Sequence, residues 1–270
     1  MIKAKSVMMD QPKQHLIILV VDDDDLNQQM MTILLSGQGY VVKTASNGQE
    51  ALDAITSSNF DLVFMDLQLP DMNGLEASRR IREWEAGRTR LPIIALTAND
   101  IPGAALEWLK AGVDDYIFKP YNLGQLSRMI MLYVDGQDKL SSSLDGSSLT
   151  EIGADEVSFD PKLALLNFSN DSDAYKGLLK DFIASLPERI ELMYEHQVAC
   201  DLSGLSRKAH NLKGVSANLG AIRLTKLANR LERCCKENQP QLSENVLKEI
   251  NESVSDLRIR VMDFLGSSST

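Results

Sequence analysis

Between Leu16 and Tyr133, short apolar runs alternate five times with helix-patterned stretches, and after Tyr133 the alternation does not return. The runs are Leu16–Val21, Tyr40–Thr44, Leu62–Met65, Ile93–Leu96 and Tyr116–Phe118. Helical stretches lie between and after them, near 26–37, 48–57, 74–86, 103–111 and 123–134. Short runs that are apolar throughout suit strands buried on both faces, which is what a parallel sheet offers. Five β-α units predict a doubly wound α/β domain with helices on both faces and right-handed crossovers. Residues 136–158 are rich in Gly, Ser and Asp instead, as in Ser141-Ser142-Ser143 and Gly146-Ser147-Ser148. They read as a flexible linker with an r.m.s. reach of roughly 25 Å. Beyond Phe159-Asp160-Pro161 only helical periodicity recurs, near 160–167, 171–199, 202–218, 220–238 and 241–264. Asp160 ahead of Pro161 is a helix start, and short connections predict an antiparallel four-helix bundle. The expected boundaries are a tail at 1–14, a sheet domain at 15–135, a linker at 136–158, a bundle at 159–265 and a tail at 266–270.

The rest of the composition narrows function. A chain of 270 residues that is 44% apolar can bury two cores. A net charge of -10 argues against general nucleic-acid binding. No apolar run approaches the roughly 18 residues of a membrane span, and no signal-peptide core opens the sequence. Three cysteines make no disulfide framework, so a reducing cytoplasm is expected. The adjacent pair Cys234-Cys235 falls in a helical pattern and reads as packing.

Chemistry gathers at the ends of the expected strands. The run Leu62–Met65 stops abruptly at Asp66, and Pro70 to Gly74 breaks the chain before the next helix. In open α/β sheets ligands collect at the carboxyl ends of the strands. Asp22 and Asp23 follow the first strand, and with that strand beside the third they come close to Asp66. Three carboxylates in one cleft repel and need a cation. A few oxygen ligands completed by water suit Mg2+, or Mn2+, better than zinc or copper. Asp24 and Asp25 lie beyond the strand, where helix capping and the helix dipole explain them. Asp61 points away on this register and reads as structural. Thr97 brings a hydroxyl at the end of the fourth strand. Lys119 brings an ammonium at the end of the fifth, ahead of Pro120, which keeps it out of the helical region. An acid nucleophile, a metal pocket, a hydroxyl and an ammonium are the parts of phosphoryl transfer.

These residues carry a resemblance. Residues 15–135 resemble a response-regulator receiver domain through Asp22-Asp23, Asp66, Thr97-Ala98 and Lys119-Pro120, with Pro70-Asp71-Met72-Asn73-Gly74 and Ala111-Gly112-Val113-Asp114-Asp115-Tyr116 as connecting loops. The resemblance implies a flavodoxin-like (βα)5 sheet of order 2-1-3-4-5 and phosphorylation of Asp66. It implies a metal held by Asp23, Asp66 and the backbone carbonyl of Gln68, with Asp22 acting through water, and Thr97 and Tyr116 as a switch pair. The segment Ile101-Pro102-Gly103 departs from the family's more polar opening of the fourth helix, so that helix is expected to start late.

Of the three histidines, His15 falls in the tail and His196 among polar residues. His210 differs. Its helix carries a seam of Leu202, Leu205, Ala209, Leu212, Ser216 and Leu219. His210, Lys213, Gly214 and Ala217 cluster roughly 120° from that seam. An imidazole is a competent nucleophile, Lys213 would offset phosphoryl charge, and Gly214 would let a partner approach closely. A glycine in mid-helix costs up to about 1 kcal/mol and wants a reason. The run from Ala209 to Ala221 resembles the signature of histidine-containing phosphotransfer domains, which implies that His210 carries a phosphoryl group.

The expected function is a two-component phosphorelay protein in which phosphoryl moves between Asp66 and His210. It would resemble the receiver-plus-phosphotransfer end of a hybrid sensor kinase. No Gly-rich nucleotide loop stands out, so the donor is expected to be a separate sensor histidine kinase and the onward partner another receiver. Ordinary substrate turnover is not expected. Two other readings stay open: a binding module gated by phosphorylation, and an Mg2+-dependent phosphohydrolase with Asp66 as nucleophile. The latter usually wants a second Asp two residues on, where this chain has Gln68.

Overall fold

A computed structural model describes residues 16–97, 104–134, 158–168 and 171–267. Five strands and five helices alternate: β1 (Ile17–Val21), α1 (Asp25–Ser36), β2 (Val41–Ala45), α2 (Gly48–Ser57), β3 (Leu62–Asp66), α3 (Gly74–Trp84), β4 (Ile93–Thr97), α4 (Ala104–Lys110), β5 (Asp115–Phe118) and α5 (Leu123–Tyr133). The strands form one parallel sheet in the order β2-β1-β3-β4-β5. This is the doubly wound order that the receiver-domain resemblance implies.

The central strands β3 and β4 are buried at every position. The expectation of a fully buried run fails for β2, whose pattern is largely exposed because it closes one edge of the sheet. Alternate residues feed two cores. Leu19, Val63, Met65 and Ala95 pack with Ile55, Ile81 and Trp108 on one face. Ile18, Val20, Phe64 and Ile94 pack under α1 and α5 on the other, and that core runs on into the bundle. Helix starts are set by side-chain caps: Asp24 for α1, Asn47 for α2, Asn73 for α3, and Asn122 with Gln125 as a capping box for α5.

The bundle holds a short α6 (Pro161–Asn167) and four long helices, α7 (Ser172–Val198), α8 (Leu202–Asn218), α9 (Ile222–Lys236) and α10 (Pro240–Ser267). Contacts run α7 to α8, α8 to α9, α9 to α10 and α10 back to α7, closing a four-helix ring. Asp171 and Asp201 cap α7 and α8. Gly220, at φ 78°, makes the sharp turn into α9, where its carbonyl accepts from the Asp160 amide at 2.8 Å. Helix α10 continues through Gly266 and Ser267, where a tail was expected. The 1–14 tail, His15, Ala98, the Ile101–Gly103 segment and linker residues 136–157 lie outside the described residues. Among the described residues, no helix is long and apolar enough to cross a membrane.

Candidate functional site

Register decides where the carboxylates meet. Val21 of β1 pairs with Met65 of β3, so Asp22 leaves its strand level with Asp66. Carboxylate oxygens of Asp22, Asp23 and Asp66 all lie within 4.8 Å of one another. Lys119 crosses from the end of β5, after which its peptide to Pro120 is cis. Its Nζ donates to Asp22 Oδ2 at 2.7 Å and to Asp66 Oδ2 at 2.6 Å. The other oxygen of Asp66 accepts from the Gln68 amide at 2.9 Å, and the other oxygen of Asp22 from the Asp24 amide and Asn27 Nδ2. Thr97 ends β4, buried, and its carbonyl accepts from the Lys119 amide at 2.7 Å. Tyr116 sets its ring edge-on to Trp108 and Phe118. Gly74 presses against the Asp66 carbonyl, where any Cβ would overlap backbone. Asp61, judged structural from the sequence, accepts from the Ile17 amide at 2.7 Å and ties β3 to β1.

The charges do not balance within this pocket. Burial pushes the Asp22 carboxyl up to about 7, Lys119 pulls it back, and Asp66 and Asp24 push it further. Burial also raises Asp23, against a hydrogen bond from Asn211. For Asp66 burial works upward, but Lys119, His210 and the Gln68 amide outweigh it and hold the carboxyl below the usual range. Burial opposes the charge on Lys119, yet Asp22 and Asp66 hold it well above an ordinary lysine. One ammonium thus faces three close carboxylates. A hard cation with oxygen ligands supplies the missing charge, so these residues fit a divalent metal ion.

His210 sits on α8, 2% exposed. Its Nδ1 lies 3.2 Å from Glu232 Oε1, on α9. Nε2 is buried with no hydrogen-bond partner. A carboxylate at Nδ1 favours the proton there and leaves the lone pair on Nε2. Sequence reasoning missed Glu232, because only the α8–α9 register reveals it. It also set Lys213 toward the phosphoryl group. The structure turns that ammonium to Glu232 Oε2 at 2.5 Å, and Lys236 reaches Oε1 at 2.5 Å. Burial raises the Glu232 carboxyl, but His210 and Lys213 pull it far below the usual range.

The His210 face of the bundle lies against the acidic pocket. Asn211 Nδ2 donates to Asp23 Oδ1 at 3.1 Å, and the Tyr121 amide donates to Asn218 Oδ1 at 3.3 Å. Arg207 reaches the Pro70 carbonyl at 3.2 Å. Arg189 of α7 pairs with Asp24, which the sequence reading left as a helix cap alone. A Cβ added at Gly214 would lie 3.6 Å from Lys119 Cδ and 3.8 Å from Asn27 Nδ2. That is ordinary contact, so the close approach expected at Gly214 occurs without requiring glycine. The unpartnered buried polar side-chain atoms among the described residues are Asn27 Oδ1, Tyr121 OH, His210 Nε2, Asn211 Oδ1, Ser216 Oγ and Asn218 Nδ2. They belong to α1, to the loop between β5 and α5, and to α8. A buried polar atom without a protein partner wants an explanation, such as a bound water, an ion or a reacting group.

Residues 18–131 match the family of response regulator receiver domains, and residues 177–259 match the Hpt domain family. The chain thus carries a response-regulator receiver domain followed by an Hpt domain. It is similar to the sensor histidine kinase GacS of Pseudomonas protegens, 30% identical over 210 residues, which are 77% of this chain and 23% of that protein. It is also similar to the aerobic respiration control sensor protein ArcB of Escherichia coli, 29% identical over 227 residues, 83% of this chain and 28% of that protein. The chain thus spans about a quarter of the length of these relatives. Among solved structures, the receiver domain of a Pseudomonas aeruginosa sensor histidine kinase, with magnesium coordinated in its cleft, is 37% identical. That match covers 44% of this chain and 98% of that one, at a TM-score of 0.41. Asp22, Asp23, Asp66, Thr97 and Lys119 fall within the receiver match, and His210, Lys213 and Glu232 within the Hpt match.

Proposed function

We propose that phosphoryl passes between Asp66 and His210 within one chain and is exchanged with partner chains. The observation that carries this reading is the apposition of the two groups: His210 lies close enough to lower the Asp66 carboxyl, and Asn211, next to His210, bonds Asp23. Starting from an aspartyl phosphate, the Nε2 lone pair attacks phosphorus. A P–N bond forms as the P–O bond to Asp66 breaks in line, and the bonding pair leaves with the Asp66 carboxylate. Lys119 receives that carboxylate. Nδ1 keeps its proton, and Glu232 offsets the positive imidazole. Lys213 and Lys236 keep Glu232 ionised. Transfer from His210 to Asp66 runs the same steps backwards.

A divalent cation, Mg2+ or Mn2+, would be held by Asp23, Asp66 and the Gln68 carbonyl, with Asp22 through water, and would neutralise the phosphoryl oxygens. Thr97 offers a hydroxyl at the same edge, with Tyr116 as its switch partner. The partners proposed are a sensor histidine kinase upstream and a response-regulator receiver downstream. Nucleic acid is not among them, given the acidic chain. Three free thiols fit a cytoplasmic address.

Labelled acetyl phosphate tests the reading. The chain should gain base-labile label on Asp66 and then acid-labile label on His210. His210→Gln should keep only the base-labile label, and Asp66→Asn should take none. Histidine label appearing in Asp66→Asn as fast as in the unsubstituted chain would defeat the proposal.

A further inference from the structure

Four consecutive aspartates, Asp22 to Asp25, open the first receiver loop, and the transfer chemistry uses only the first two. Asp24 has a double part. Its Oδ1 accepts from the amides of Leu26 at 3.1 Å and Asn27 at 3.2 Å, which caps α1. Both its oxygens also meet the Arg189 guanidinium of α7, Nη1 on Oδ2 and Nη2 on Oδ1, the second at 3.2 Å. Ser185, one turn earlier on α7, accepts from Arg189 Nε at 3.0 Å and aims the fork. Asp24 is 4% exposed, so the docked domains cover its carboxylate, while the Arg189 side chain stays 20% exposed. A two-pronged arginine–carboxylate pair is demanding in direction, and a desolvated charge left alone is costly. Gln29, beside it on α1, donates to Asp181 of α7 at 3.2 Å. With His210 only 2% exposed, the docked receiver covers the acceptor nitrogen.

The geometry points to Arg189 as the residue by which the Hpt face selects a receiver. It takes one whose first loop carries a carboxylate directly after the two metal-binding acids. The chain's own receiver is the resident occupant, and an outside receiver reaches His210 only by displacing it. This rests on phosphoryl exchange between Asp66 and His210.

The test mixes two full-length chains. The donor carries His210→Gln and Arg189→Ala, so that its own Hpt face no longer reads Asp24, and is phosphorylated on Asp66 with acetyl phosphate; the acceptor carries Asp66→Asn. Asp24→Asn removes the charge and keeps α1 capped, because asparagine caps as well as aspartate. On the donor it should slow transfer by about tenfold, whereas on the acceptor it should speed transfer by about tenfold, since the acceptor's own receiver then releases His210. Arg189→Ala on the acceptor should remove both responses. The same response from either chain, or none, overturns the proposal. If donor and acceptor never exchange label, Asp66–His210 transfer is what fails, and docking is then read without chemistry by small-angle scattering. Asp24→Asn should enlarge the radius of gyration of the single chain, and an unchanged radius also overturns the pairing.

Discussion

At the scale of single residues, Glu232 does the most with one side chain. It accepts from Lys213 and Lys236 and faces Nδ1 of His210, while 2% exposed. Removing one partner from a buried charge network costs roughly 3 kcal/mol, so Glu232→Ala should destabilise the Hpt domain by about that much. The acid behaviour follows from the sign of the shift. Folding holds the Glu232 carboxyl far below its ordinary range, so its stabilisation is present above the unfolded value, near about 4.3, and is lost as pH falls toward the folded one. Urea unfolding should therefore show a shallower loss of stability below about pH 4 in Glu232→Gln than in the unsubstituted chain. Equal slopes would mean that Glu232 is not ionised as described. The acidic pocket works in the opposite direction. Asp22 is raised to about 7, so ionising it in the folded state costs stability as pH rises toward that value. A divalent cation binds the ionised form. Added Mg2+ should raise Tm more at about pH 8 than at about pH 5, and Asp23→Asn should blunt the rise. A rise independent of pH would separate the cation from these carboxylates.

At the scale of elements, two glycines that look alike in the sequence part company. Gly74 opens α3 with its Cα against the strand end, and a Cβ there would lie 2.9 Å from Leu67 Cα and 3.0 Å from the Asp66 carbonyl carbon. Backbone cannot step aside, so Gly74→Ala should cost roughly 2 kcal/mol and disturb Asp66 with it. Gly214 sits mid-helix in α8 with its nearest neighbours at ordinary contact distance. Gly214→Ala should stabilise the Hpt domain by up to about 1 kcal/mol, as alanine does for a helix interior. Chemical unfolding of both variants checks the contrast, and a loss at Gly214 matching that at Gly74 would contradict it. The elements themselves were legible. Apolar runs ending at Val21, Met65 and Leu96 mark strands within a residue of β1, β3 and β4, because a buried parallel strand has no polar face to blur its ends. The acids and Lys119 could be placed in one cleft because each follows directly on a strand end, and strand order then brings the ends together. Glu232 was illegible for the opposite reason. It lies 22 residues from His210, on the neighbouring helix, and its pairing depends on the rotation of α9 against α8. Lys213 went astray similarly: spacing puts it on the His210 side of α8, but Glu232 decides where its ammonium points.

At the scale of the whole molecule, the sequence left open whether the two domains meet. A linker with the roughly 25 Å reach expected from its composition would permit contact without compelling it. Contacts that cross between domains have no local pattern, which is why Asp24 read as a cap and Asn211 was not singled out. In the structure, α1 packs on α7 and α8, and the core under α1 and α5 continues into the bundle. Tethering makes the second binding event intramolecular, with effective concentrations on the order of mM for short flexible linkers. Transfer from Asp66 to His210 in one chain should therefore follow a first-order rate that does not change when the protein is diluted about a hundredfold from micromolar levels. A mixture of His210→Gln and Asp66→Asn chains should instead slow in proportion to dilution, because each transfer needs an encounter and the release of a resident receiver. Rapid-quench labelling across the dilution series distinguishes the two. If the unsubstituted chain slows like the mixture, phosphoryl moves between molecules, and the docked arrangement is a resting clasp over His210 and not the route by which Asp66 reaches it.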